Sequence, residues 1–194
     1  DLAVLDDRIK AQDAVHRTAL QDFRVVTVTE GLTGPWGMSF LPNGDLLVTE
    51  KAGALRLVRG GKLQTAAIVG VPAVRNAGQG GLLDVIPHPQ FATNKFIYLS
   101  YSKPSADGSQ GTTAIVRAKF ENDRLTDVKE IFEAKMWSAG RGHYGSRMAF
   151  DKDGGVTAME QHVACGWPTE VMAPFFMPKG EKDIPFDPFA INGA

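Results

Sequence analysis

A lone histidine framed by glycines, in Gly142-His143-Tyr144-Gly145-Ser146-Arg147, stands before the apolar Met148-Ala149-Phe150. An imidazole ionises near neutrality and small neighbours let a substrate approach it, so His143 is a candidate general base. On residue type alone the simpler reading is a loop histidine that caps or hydrogen-bonds a nearby turn. A second framed stretch, Gly78-Gln79-Gly80-Gly81-Leu82-Leu83-Asp84, presents Gln79. Its amide both donates and accepts, so it could orient a polar ligand or satisfy the backbone of its own turn. Arg147 offers a fork to a carboxylate, either a ligand's or that of an acidic neighbour such as Asp84.

Other polar groups read as structure. His88, between Pro87 and Pro89, marks a rigid turn, and no spacing joins it to His143 as a metal pair. Asp151-Lys152-Asp153-Gly154-Gly155 opens like a calcium loop but has no glutamate at the twelfth position, so it reads as a hairpin turn. Gly78 to Gly81 lacks the lysine and hydroxyl residue of a phosphate-binding loop. The single cysteine, Cys165, can form neither an intrachain disulfide nor a thiolate metal site. No residue is assigned as a metal ligand.

A formal net charge of −1 without a run of Lys and Arg argues against nucleic acid or an anionic membrane as partner. The longest apolar stretches, such as Phe96-Ile97-Tyr98-Leu99, fall far short of the roughly 20 residues that span a bilayer. The chain begins at Asp1 with no leader-like segment, which suits a mature exported product or a fragment.

The candidate groups must be held by sheet. Residues 1–22 carry Leu2, Leu5, Ile9 and Val15 loosely spaced as on an amphipathic helix, which predicts a peripheral helical arm. From Phe23 the period changes, and Val25–Val28, Leu46–Thr49, Leu55–Val58, Phe96–Tyr101, Thr113–Phe120 and Val128–Glu133 read as strands. Pro42-Asn43-Gly44-Asp45 and Arg59-Gly60-Gly61-Lys62 supply residues that tolerate positive φ, as tight hairpins demand. Pro35 to Gly44 is echoed by His143 to Gly154, with a looser copy from Gly81 to Pro89. Antiparallel strands repeating at roughly 40 to 50 residues mark propeller blades, although strand spacing alone also fits a sandwich or barrel. After Gly155, prolines at 168, 174, 178, 185 and 188 predict an irregular tail over 156–194. Its Phe175, Phe176 and Phe186 argue that it packs onto the sheet rather than standing in water.

Leu32 to Gly44, Leu47 to Glu50, Val71 to Val74, Gly78 to Asp84 with His88-Pro89, Phe96 to Tyr101, Ile131-Phe132 and Gly142 to Arg147 occur in one order. Together these motifs closely resemble the soluble glucose/sorbosone dehydrogenases, the PQQ-dependent aldose sugar dehydrogenases, from about Phe23 to Gly155. The resemblance implies an all-β chain, a partial six-bladed β-propeller of about three to four blades at about 45 residues each. It implies periplasmic or secreted location and oxidation of the C1 hydroxyl of aldose sugars to lactones, with pyrroloquinoline quinone (PQQ) as cofactor, calcium assisting and an external electron acceptor. By the same resemblance His143 is the general base and Gln79 a cofactor contact.

The pattern departs later. The Gly-Asp expected after the histidine motif falls on Gln161 and His162, and the later quinone contacts and calcium ligands have no counterpart. Impaired turnover is therefore the expectation, with a noncatalytic propeller fragment acting as a binding module as the alternative. Open sheet edges would favour a homodimer.

Overall fold

The computed structural model describes residues 15–142, 144, 145, 147–151, 154–159 and 174–176, with backbone alone for 157–159 and 174–176. His143, Gln161, His162 and Cys165 lie outside the described residues, as do residues 1–14 of the expected helical arm. The described end of that arm is extended: β1 (Val15–His16) pairs with β2 (Phe23–Arg24). The run Val25–Val28 follows without joining a ladder, and Val25, Val26 and Val28 are exposed. A β-rich composition alone does not make a strand, and among the described residues no strand is paired with this run.

Two antiparallel meanders come next. β3 (Pro35–Phe40), β4 (Leu46–Glu50), β5 (Leu55–Arg59) and β6 (Lys62–Leu63) form one four-stranded sheet in chain order. β7 (Leu82–Pro87), β8 (Phe96–Pro104), β9 (Gly111–Glu121) and β10 (Arg124–Glu133) form the second, with the single turn of α1 (Phe91–Asn94) between β7 and β8. Gly44 at φ 85° and the pair Gly60 and Gly61 at φ 57° and 74° close their hairpins in the left-handed region, as their residue types demand. A third sheet holds β11 (Met148–Phe150), β12 (Val156–Met159) and β13 (Pro174–Phe176). The last two strands fall in the segment expected to be irregular. Pro174 is accommodated because it is the first residue of an edge strand, where its missing N–H costs little.

This is the all-β, partial β-propeller architecture that the sequence predicts. The three echoed stretches of sequence supply β3, β7 and β11, the first strand of each sheet, and β7 packs against both of the others. The period of two along each strand sends alternate side chains to opposite faces, and the two faces of the second sheet meet different sheets. Leu47, Leu55 and Leu57 of the first sheet bury against Leu82, Val85, Ile97, Leu99 and Val116 of the second. On the far face of the second sheet, Tyr98 and Ile115 bury against Met148 and Val156 of the third. The outer face of the first sheet carries Leu46, Val48 and Val58, while Met38 and Phe40 on its first strand stand 66% and 65% exposed.

The first strands share an irregularity. Pro35 faces Glu50 and Met38 faces Val48, so three steps on β3 match two on β4; Leu82 faces Tyr101 and Val85 faces Leu99, the same mismatch on β7. Each is a bulge, and a bulge strands a ladder amide. A buried hydroxyl on the second strand answers it each time: Gly37 N–H donates to Thr49 Oγ1 at 2.8 Å, and Asp84 N–H to Ser100 Oγ at 3.0 Å. Thr49 also donates to the carbonyl of Leu83 at 2.5 Å, tying the first sheet to the second. The two strands pass so closely there that a Cβ on Gly37 would lie 2.8 Å from that carbonyl.

Thr49→Val keeps the shape of the side chain but leaves a buried amide and carbonyl without partners. It is expected to lower unfolding free energy in urea by about 2 kcal/mol. The exposed Thr65→Val should change it by less than about 0.5 kcal/mol. Equal midpoints for the two variants would refute the cross-sheet role of Thr49.

Candidate functional site

Strand direction alternates within a meander, so the connections into β7 and β11 and the turns after β4 and β8 gather at one end of the sheets. Both glycine-framed stretches lie in these connections. The structure brings them together: Gln79 N–H donates to the carbonyl of Arg141 at 2.6 Å, and a Cβ on Gly142 would stand 3.3 Å from Gln79 Oε1. Gly78 makes the contact feasible. It adopts φ 58°, and a Cβ there would lie 2.2 Å from the carbonyl oxygen of Arg141, so only hydrogen fits. Lys51, in the turn after β4, closes the first sheet onto the same loop by donating from Nζ to the carbonyl of Gly78, while its own carbonyl accepts from Leu82 N–H at 3.0 Å.

Arg147 and Asp84 meet as their residue types allow. Asp84, only 2% exposed, sits in the bulge of β7; its Oδ2 accepts from Met148 N–H at 2.9 Å and its Oδ1 from Arg147 at 3.2 Å. One carboxylate thus fixes the start of β11, five residues beyond His143. The Arg147 side chain is 63% exposed and its guanidinium lies 5.1 Å from the centre of the Trp36 ring, so it bridges the first strands of all three sheets. Burial pushes the Asp84 carboxyl above the usual aspartate range, and the amide of Met148 and the charge of Arg147 draw it partly back.

Three residues at this end carry no period or motif that singles them out. Arg75 donates to the carbonyls of Gly140, Ala139 and Ser109 and to the phenol of Tyr144 at 2.8 to 3.1 Å. Lys51 and Tyr144 complete the set. The nearest thing to a signal was proximity: Arg75 precedes Gly78 by three residues, and Tyr144 adjoins His143. Other expectations hold at a distance from the site. His88 Nδ1 accepts from the amide of Gln90 at 2.9 Å and its ring packs on Tyr98 and Phe150, and burial lowers its pKa. Asp151 closes its turn by accepting from Gly154 N–H and, through Oδ1, from Gly155 N–H. Among the described residues no group of three or more His, Cys, Asp or Glu could hold a metal ion, and no helix is long and apolar enough to cross a membrane.

Comparison with known proteins gives this arrangement a context. The family model described as Glucose / Sorbosone dehydrogenase matches residues 32–159. The aldose sugar dehydrogenase YliI of Escherichia coli (strain K12) is 38% identical over 133 residues, covering 67% of this chain and 36% of that protein. A crystal structure of a glucose dehydrogenase superposes with a TM-score of 0.65 at 38% identity, over 70% of this chain and 40% of that one. The PQQ-bound form of an aldose sugar dehydrogenase from Streptomyces coelicolor superposes with a TM-score of 0.60 at 29% identity, again over 70% of this chain and 40% of that one. The chain spans about a third of the length of the curated relatives it matches.

A carboxyl whose folded pKa exceeds its unfolded value makes the native state bind the extra proton, so its contribution to stability is present at low pH and lost as pH rises through the folded value. Arg147→Met removes a force that opposes this shift. The ¹³C titration of the Asp84 carboxyl is expected to move to still higher pH in the variant, and the decline of stability with rising pH to extend over a wider window. A lower midpoint in Arg147→Met than in the parent would refute the pairing.

Proposed function

This chain belongs to the glucose/sorbosone dehydrogenase family, and we propose that it binds PQQ at the end of the sheets where Gln79 and the His143 loop meet, and there oxidises the C1 hydroxyl of aldose sugars to lactones. The observation that carries the reading is the contact between the two loops: Gln79 donates to Arg141 and faces Gly142, the residue before His143.

The residues present fit such a cofactor, a quinone bearing three carboxylates. Lys51 reaches the loop of Gln79, and Arg75 reaches its partner loop. Lys51 and Arg75 use their hydrogen bonds on carbonyls and a phenol, so their positive charges remain to favour an anion. The amide of Gln79 can donate to a quinone or carboxylate oxygen. Bound PQQ supplies the two-electron acceptor for the hydride that leaves C1. As general base, His143 would take the proton of the C1 hydroxyl in the two-electron, two-hydrogen oxidation that would leave the lactone. Gln79 would help hold the cofactor through its amide, and the glycines flanking both residues would leave room for the sugar to approach. The described residues supply no ligand set for calcium, and no step is assigned to it. The proposal extends to an exported compartment, to an external acceptor that reoxidises the cofactor, and to a homodimer through open sheet edges.

The test is direct. PQQ titrated into the chain should give saturable binding, weakened about tenfold by Gln79→Ala, the worth of one hydrogen bond to a charged group. His143→Ala should retain binding and lose aldose oxidation with an artificial acceptor by at least about a hundredfold. Absence of PQQ binding would overturn the reading and favour the alternative, a noncatalytic binding module.

A further inference from the structure

We propose that Arg75 is a positioning residue of this site, a side chain that locks the loop bearing His143 to the loop bearing Gln79. The proposal rests on the reading of those two residues given above, but the lock itself is a property of the chain without cofactor.

The backbone of Arg75 is fixed first. Its N–H donates to the carbonyl of Ser102 at 2.8 Å, and its carbonyl accepts from Ser102 Oγ at 2.7 Å, so both ends of the residue are tied to β8. From that anchor the guanidinium divides its donors. One terminal nitrogen gives to Gly140 at 2.8 Å and to the Tyr144 phenol at 2.9 Å, and the other gives to Ser109 and Ala139, both at 3.1 Å. Three acceptors therefore come from the 138–144 stretch and one from the turn after β8. A planar fork with donors on two terminal nitrogens suits such divergent acceptors; a lysine, with its donors on one atom, does not.

The surroundings are shaped to this side chain, which is independent support. A Cβ on Gly111 would lie 2.7 Å from Arg75 Cδ and 2.7 Å from the Tyr144 phenol oxygen. A Cβ on Gly80 would lie 2.8 Å from Tyr144 Cε2 and 2.9 Å from the Arg75 carbonyl oxygen. Glycines on two different elements thus leave the space that the Arg75–Tyr144 pair occupies. Tyr144 is the residue next to His143 in the chain, so the lock acts on the backbone that carries the proposed base. The paired amides between Gly111 and Ser138, at 2.9 and 3.1 Å, stitch the base of the same loop to β9.

Hydrogen exchange of the chain without cofactor tests the lock. Arg75→Ala is expected to speed exchange at Gln79, Gly111 and Ser138 by about tenfold or more, with β4 and β5 unchanged as the internal reference. Gly111→Ala, which displaces the same pair by crowding, should reproduce that pattern, and Arg75→Lys should recover only part of the protection. In PQQ-loaded protein, Arg75→Ala should lower kcat by about a hundredfold with KM within about threefold, because a misplaced base costs rate rather than affinity for the sugar. Unchanged exchange in Arg75→Ala would overturn the proposal, as would loss of protection spread evenly over β7 to β10, which would make Arg75 a general pillar of the sheet. If the exchange pattern appears but PQQ does not bind, the proposed function fails and the lock stands.

Discussion

Everything at the end of the sheets where the connections converge hangs on the carboxylate of Asp84. It sits in a bulge of β7, takes the first amide of β11 on one oxygen and Arg147 on the other, and so joins the second sheet to the third where the connections converge. A buried carboxylate is costly without partners, and this one has Met148 N–H and Arg147 among them. The cost itself makes the geometry specific. A displacement of β11 would strand both the acid and an amide, so the pairing favours one position for the start of that strand.

The first junction uses a neutral version of the same device. Thr49 and Ser100 occupy corresponding places on the second strands of their sheets, and each answers the amide that a bulge leaves over. Between the sheets the apolar faces supply the bulk of the attraction without direction. The hydroxyls and the carboxylate supply the direction. A non-specific cluster of leucines and valines becomes an ordered fan because these few polar atoms accept only one register.

Much of this was legible in the sequence. The alternation that placed Leu47, Ile97 and Leu99 on one face and Tyr98 and Ile115 on another is a period of two, and glycine-bearing turns delimited the hairpins. The echoed stretches marked β3, β7 and β11 because similar surroundings at the centre of a fan select similar residues. The pairing of Arg147 with Asp84 was open to inference from complementary charge. Arg75 was not legible, since its acceptors are backbone carbonyls far along the chain, and a carbonyl leaves no trace in residue type. The bulges were hidden for a related reason: Thr49 and Ser100 suit any half-polar strand. The tail misled through its prolines, because Pro174 opens an edge strand rather than interrupting a central one.

The meander order of the first two sheets has a bearing on how the protein is made. Every ladder in them joins strands adjacent in the chain, so the loops closed on pairing are short and the entropy spent on closure is small. A ribosome delivers the first sheet complete before β7 has been synthesised. Each sheet can then serve as the template on which the next one condenses, and the order of synthesis becomes the order of assembly.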